Sequence, residues 1–389
     1  MIPTSNKPNT NTLCSRERIS QGRHQHIRRR TYKPSTAIHI SMGMLTAIHV
    51  KNFKSIGDSG QFQLKPLTIF TGPNSSGKSN ILESLAVLAQ TTRLPARIER
   101  SLQGSLTQGE FVAYPHPWSD YVTYRKEAGR WISFELLARP SEATVKELQG
   151  AFGSVRSIGY GYSYKNLTEE VSACVFVEND KVIEVRREIA GSGYRTRVIC
   201  ADLPSELEMK DPTPKILESK CFVFANLSEE QVEKFGDIAD TATEAAQCVI
   251  ADITRYLSRT YLITALRGGV EAEVKTGATP NWVGKRGEHL VEILALCFGR
   301  EEYSAKADKI DEWSQKFGLG KIRAGWWGGN QVGSDFVDPV LKTDLKLVLA
   351  SGGSRQALSV IVQLFWSEPG DLIMIEEPEM SLHPESQVL

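Results

Sequence analysis

From Leu45 the chain settles into the two-residue alternation of a β-strand, carried by Ile48, Val50 and then Phe53. Phe62 and Leu64 mark a second short strand after a turn over residues 57–60, and the apolar stretch 67–71 predicts a third. The spacing then changes to three and four over residues 79–90, where Ile81, Leu82, Leu85, Ala86 and Leu88 line one face of a helix. Residues 93–226 read mostly as strands and turns, with alternation over 131–138 and a hairpin of 173–178 with 182–187 around Asn179 and Asp180. Helical spacing returns over 227–260, 287–298 and 301–316, with a strand at 261–266 between the first two. Near the C-terminus a helix runs to Trp366 through Ala357, Leu358, Ile361, Val362 and Phe365, followed by a short continuous apolar strand at 371–375.

No internal repeat is visible, and no heptad is sustained long enough for an extended coiled coil. Residues 1–43 have neither period and are rich in Asn, Ser, Thr, Pro, His and Arg, so a disordered extension is expected. Three readings of it stand open: a basic arm using Arg28, Arg29 and Arg30, a targeting peptide, or an upstream stretch read before a true start at Met42 or Met44.

Charge alters this picture little. Of 46 basic and 46 acidic residues, residues 1–43 hold eight and one, so the remainder is mildly acidic and gives no global argument for nucleic-acid binding. No apolar run approaches membrane-spanning length. The six cysteines form no C-x-x-C pair, which argues against a zinc site and fits a reducing cytoplasm.

The chemistry concentrates at the first strand-to-helix junction. Gly72-Pro73-Asn74-Ser75-Ser76-Gly77-Lys78-Ser79 has two glycines separated by four residues and followed by Lys and Ser, the pattern of a phosphate-binding loop. Its glycines let successive N–H groups and a helix N-terminus converge on one anion; Lys78 adds a charge for the β and γ phosphates of ATP, and Ser79 a hydroxyl for Mg²⁺. Far along the chain, Ser351-Gly352-Gly353 opens a helix, and the strand at 371–375 delivers Glu376 and Glu377 at its C-terminal end, where an open α/β sheet places its ligands. Trp326 and Trp327, flanked by glycines, suit either a base-stacking platform or packing at a turn.

Residues 51–56 (Lys-Asn-Phe-Lys-Ser-Ile) ahead of 67–80 closely resemble the opening of the ATPase heads shared by SMC proteins, RecF and the OLD nucleases, a group related to the ATP-binding-cassette ATPases. Residues 349–356 resemble the cassette signature, and Glu376-Glu377-Pro378-Glu379 with Leu382-His383-Pro384 resembles the Walker B region of OLD-like ATPases, including those of abortive-infection systems. The resemblance implies an α/β P-loop NTPase with a cassette-type head, a mixed or parallel central sheet, and a strand-rich and helical insertion. The corresponding divisions are 1–43, 44–92, 93–339 and 340–389, the last lacking the strand and switch histidine that follow Walker B in the family. It further implies that Glu376 holds Mg²⁺, that Glu377 is catalytic, and that Ser351, Gly352 and Gly353 face the γ-phosphate of a partner subunit in a homodimer. Hydrolysis would then act as a switch in phage defence or DNA transactions, with DNA or a toxin or nuclease as partner. Residues 261–267 and 282–288 resemble segments of such ATPases in which an Arg and a glycine turn lie near the nucleotide or the seam. Gln90 and Gln108 are candidates for a magnesium-sensing glutamine, Arg267 for a phosphate, interface or surface salt-bridge contact, and His383 for the dimer seam. Two rival readings remain: a nucleotide-binding module without turnover, and a DNA-end-binding protein.

Overall fold

A computed structural model describes residues 44–93, 130–165, 168–190, 193–200, 207–211, 229–271, 273–275, 279–382, 384 and 387. The extension 1–43, Gln108 and His383 lie outside the described residues. So does the side chain of Gln90.

Eight strands form the largest sheet: β1 (Met44–Phe53), β2 (Ile56–Gln63), β3 (Ile132–Arg139), β4 (Val155–Lys165), β5 (Thr168–Val177), β6 (Asp180–Ala190), β7 (Gly193–Cys200) and β8 (Leu207–Asp211). They lie in the order β2-β1-β3-β4-β5-β6-β7-β8, and every neighbouring pair is antiparallel. The expectation of a mixed or parallel central sheet is therefore corrected for the bulk of the strands. The cause lies in their two-residue period, which buries one face and leaves the other solvated, as antiparallel sheets permit and parallel ones rarely do. Ile48, Val50, Phe53, Phe134, Ile158 and Val185 are all buried on the inner face. The outer face carries both signs of charge, with His49 bonded to Asp58 and Arg186 to Glu184.

Three helices pack with this sheet: α1 (Lys78–Arg93), α2 (Glu142–Phe152) and the long α3 (Glu229–Ser258). Sequence periodicity misses α2, which is set by its N-cap: the Ser141 hydroxyl accepts the Thr144 N–H, while Ser141 N–H donates to buried Asp252 on α3 at 2.7 Å. Two turns also fall elsewhere than expected. The β1–β2 reversal occurs at Lys54-Ser55, with residues 57–60 inside β2, and the β5–β6 turn is Glu178-Asn179.

A second core gathers α4 (Leu290–Gly299), α5 (Ser304–Lys316) and α6 (Gly352–Trp366) against β10 (Glu273–Lys275), β11 (Ile322–Gly328), β12 (Gln331–Val337) and β13 (Asp344–Lys346). Trp326 and Trp327 on β11 are 45% and 46% exposed. Each ring lies over a glycine, Trp326 over Gly299 and Trp327 over Gly333, and the Lys346 ammonium stands 3.2 Å from the Trp327 ring centre. The pair braces the β11–β12 turn without entering the core.

Between the two cores runs the parallel pair β9 (Thr260–Ile263) and β14 (Leu372–Ile375), in register from Thr260↔Leu372 to Ile263↔Ile375. Tyr261, Leu262 and Met374 pack into the first core and Ile263 into the second. The stretch 67–71 forms no ladder, contrary to its apolar pattern. Leu67 and Ile69 are 78% and 72% exposed, and only Phe70 packs inward, its ring 5.8 Å from that of Phe62. A β-strand exists only where a neighbour supplies hydrogen bonds, and among the described residues none pairs with 67–71. No described helix is long and apolar enough to cross a membrane.

The first core gives one direct test. Phe134 is fully buried, its ring 5.6 Å from Phe53 in an edge-to-face contact. Phe134→Ala should lower unfolding free energy by about 3–5 kcal/mol. The check is a shifted denaturant midpoint at unchanged slope, and a loss below about 1 kcal/mol would contradict this packing.

Candidate functional site

The phosphate loop folds as its glycines demand. Gly72 and Gly77 take φ of 155° and 94° and Ser75 takes 64°, while Ser76 N–H closes a turn onto the Pro73 carbonyl. A Cβ on Gly72 would lie 3.1 Å from the Ser76 hydroxyl, so the tight curl itself selects glycine. Lys78 donates to the carbonyls of Gly72 at 2.8 Å and Pro73 at 2.9 Å, folding its ammonium across the loop it belongs to. Among the described residues no acid pairs with that charge. Residues 72–76 and Ser79 are exposed.

The start of α1 is tied to the β1–β2 turn by Asn80 Nδ2 donating to the Ser55 hydroxyl and by an ion pair of Lys54 with Glu83. The motif at residues 51–56 thereby acquires a structural reason. Phe53 anchors in the core, Asn52 donates to the Trp131 carbonyl, and Lys54 and Ser55 hold the helix that follows the phosphate loop.

The acidic half of the site begins where β14 ends. Glu376 N–H donates to the Ile263 carbonyl, and the Glu376 carboxylate accepts the Ala265 N–H at 3.4 Å. Glu377 is exposed and held at φ 43°, unusual for a residue with a side chain and a mark of a tightly fixed strand exit. Since α1 packs on β9 and β9 pairs with β14, the phosphate-loop helix lies against the strand pair that ends in the two glutamates.

Arg267 is the residue whose role changes most. It is 5% exposed, and its guanidinium donates to five backbone carbonyls: Thr264, Gln356 on α6, Glu376, Glu377 and Pro378. Burial pulls its pKa down, and the nearby Glu379, Glu377 and Glu376 oppose that fall. The surface salt-bridge reading is corrected, because the side chain is buried and its fork joins three segments of its own chain.

The serine and glycines before α6 also take defined places. Ser351 caps the helix, accepting Ser354 N–H at 3.1 Å, and Ser351 and Gly352 remain exposed. Gly353 lies so close to residue 381 that an added Cβ would be 2.2 Å from the Ser381 carbonyl oxygen. This close approach requires glycine there and ties the start of α6 to the segment after β14.

The Ser79 hydroxyl and the Glu376 carboxylate are oxygen donors of the kind that could hold magnesium, and the Lys78 ammonium of the same loop is bonded only to carbonyls among the described residues. Few protein ligands are needed, because Mg²⁺ retains water and takes phosphate oxygens. Among the described residues no group of three or more His, Cys, Asp or Glu could hold a metal instead. The loop Gly284–Glu288, part of the stretch whose likeness implies a glycine turn near the nucleotide or the seam, is bonded to this region: its carbonyls at Lys285 and Arg286 accept the N–H groups of Thr264, Gly268 and Gly269.

The clamp is testable by stability. Arg267→Ala would remove the one side chain that donates to five part-buried carbonyls and should cost about 2–4 kcal/mol. Arg267→Lys should recover only part of that, since an ammonium cannot reproduce the planar fork. Wild-type stability in Arg267→Ala, measured by denaturant unfolding, would show the clamp to be unimportant.

Residues 44–199 match the family model described as AAA ATPase domain, a span that includes the phosphate loop, α1 and the antiparallel strands through most of β7. No curated protein matches the chain. Over residues 44–199 the chain is therefore similar to AAA ATPase domains, in keeping with the cassette/SMC/RecF type of P-loop ATPase that its motifs resemble.

Proposed function

We propose that the protein binds ATP with Mg²⁺ at residues 72–79 and hydrolyses it in a site completed by a second copy of the chain. One observation carries the reading: the helix behind the phosphate loop packs on β9, and the parallel partner of β9 ends in Glu376 and Glu377. Phosphoryl transfer asks little covalent chemistry of a protein and much positioning and charge stabilisation.

Each residue has a definite task in this scheme. Lys78 exchanges the carbonyls of Gly72 and Pro73 for the β and γ phosphates, and the N–H groups of the loop and of the start of α1 take the remaining oxygens. Ser79 and Glu376 would hold magnesium, which would supply positive charge to those oxygens. Glu377 orients the attacking water and accepts its proton as the bond to the γ-phosphorus forms and the bridging oxygen leaves with ADP. Ser351, Gly352 and Gly353 of one copy meet the γ-phosphate held by the other, which makes nucleotide binding close the pair and hydrolysis release it. The exposure of Ser351 and Gly352, with Leu349 at 67% and Leu266 at 67%, supports a surface left for such a partner.

Lys78→Ala should lose measurable ATP binding in an equilibrium titration. Glu377→Gln should keep that affinity, lower kcat by about 100-fold or more, and accumulate as a dimer with ATP in sedimentation. Turnover unchanged in Glu377→Gln would remove the residue from the reaction. Undiminished binding in Lys78→Ala would displace the nucleotide from the loop.

A further inference from the structure

The loop between β10 and α4 is built more firmly than a connection needs. Gly284 and Gly287 take φ of 89° and 92°. A Cβ on Gly284 would lie 2.2 Å from the Glu288 carboxylate, and one on Gly287 would lie 2.9 Å from the Ser359 hydroxyl of α6. The Lys285 carbonyl accepts both Thr264 N–H at 3.0 Å and the Thr264 hydroxyl at 3.2 Å, while the Arg286 carbonyl accepts the N–H groups of Gly268 and Gly269. The base of the loop is fixed by Val283 N–H donating to the buried Gln363 side chain at 2.9 Å.

This stitching delivers one side chain to a particular place. Thr264 holds the Lys285 carbonyl, and the next residue, Ala265, donates its N–H to the Glu376 carboxylate. Lys285 is half-buried, and its ammonium makes no hydrogen bond or ion pair among the described residues. The acids that act on it are Glu83 of α1 and Glu376; the cations are Arg286 and Lys54. Burial is the main influence and lowers its pKa, with the two acids opposing. Glu83 is also paired with Lys54, so its charge is shared between the two lysines. Lys285 thus lies on a loop bonded to Thr264, whose neighbour Ala265 donates to Glu376, and Glu83 of α1 and Glu376 are the acids that attract its charge.

We propose that Lys285 is a second phosphate-binding lysine of this site, meeting the terminal phosphate of a nucleoside triphosphate beside Glu376. The assignment rests on the reading of residues 72–79 as the nucleotide cradle. Charge favours it: a magnesium-bound triphosphate is still an anion, Glu376 and Glu377 add to the negative charge around it, and of the cations nearby Arg267 is engaged by backbone carbonyls, which leaves Lys78 in the loop. In this assignment the contact is selective, because the Lys285 loop is bonded to Thr264, next to the Ala265 N–H that Glu376 accepts, and so meets the triphosphate at its terminal end on the Glu376 side. A diphosphate would lack its partner.

The test compares ATP with ADP, both with Mg²⁺, in equilibrium titrations of wild type, Lys285→Met, Lys285→Arg and Lys78→Ala. Lys285→Met should weaken ATP about tenfold, the size of one charge-assisted contact, and ADP by less than about twofold. Lys285→Arg keeps the charge and should stay within about threefold of wild type for ATP. The ratio of the two affinities within one preparation is insensitive to the fraction folded, so general destabilisation by Lys285→Met would not imitate the result. An unchanged ratio in Lys285→Met, with wild type binding both nucleotides and Lys78→Ala binding neither, would overturn the role of Lys285 alone. Wild type that binds neither nucleotide would overturn the nucleotide reading and this assignment with it.

Discussion

The parallel pairing of β9 with β14 is the constraint on which the site depends. Four residues of each strand place Glu376 directly beyond Ile263, and the buried Arg267 then fixes the strand exit by taking the carbonyls of Glu376, Glu377 and Pro378 in one fork. A carbonyl buried without a donor is costly, so the guanidinium and the strand end hold each other in place. The same guanidinium takes the Gln356 carbonyl, which makes the position of α6 a consequence of the position of the two glutamates. At the other end of β14, Arg259 pairs with Asp371 at 2.7 Å and keeps the register.

From that junction the two cores take different tasks. The antiparallel sheet with α1 and α3 carries the phosphate loop, whose helix is secured to the β1–β2 turn by Lys54, Glu83, Ser55 and Asn80. The smaller core carries α6 and the stitched loop around Lys285. Residues from both reach the strand end, so a shift of α6 driven by a partner at Ser351 would be felt at Glu377 through Arg267 and through the contact of Gly353 with Ser381. The linkage needs no flexible relay; it is a small number of backbone contacts that admit little adjustment.

Local physics makes part of this legible. The phosphate loop, the helix after it, the Ser-Gly-Gly helix start and the acidic strand end are each encoded within a dozen residues, so spacing alone identifies them. The strand order of the large sheet is not encoded that way. The period-two pattern of β1 to β6 is compatible with burial on one face only, a hint of antiparallel pairing that the family likeness overrides. Residues 67–71 fail as a strand because pairing is tertiary and apolarity is not. Arg267 stands out in the sequence, but its role is hidden there: its partners Gln356, Glu376, Glu377 and Pro378 lie 89 to 111 positions away, and a buried fork bonded to carbonyls leaves no trace in sequence. Lys285 is hidden for the same reason, since its importance comes from the approach of Thr264 and Ala265.

The central claim is that residues 72–79 and 376–377, almost three hundred positions apart, form one metal-assisted nucleotide site. A double-mutant cycle on Ser79→Ala and Glu376→Gln, reading the Mg²⁺ dependence of ATP affinity, tests it most directly. If both side chains hold the same ion, the effects are not additive, and a coupling of about 1 kcal/mol or more is expected. Effects that add within about 0.5 kcal/mol would mean that the two residues act at separate places and would contradict the account.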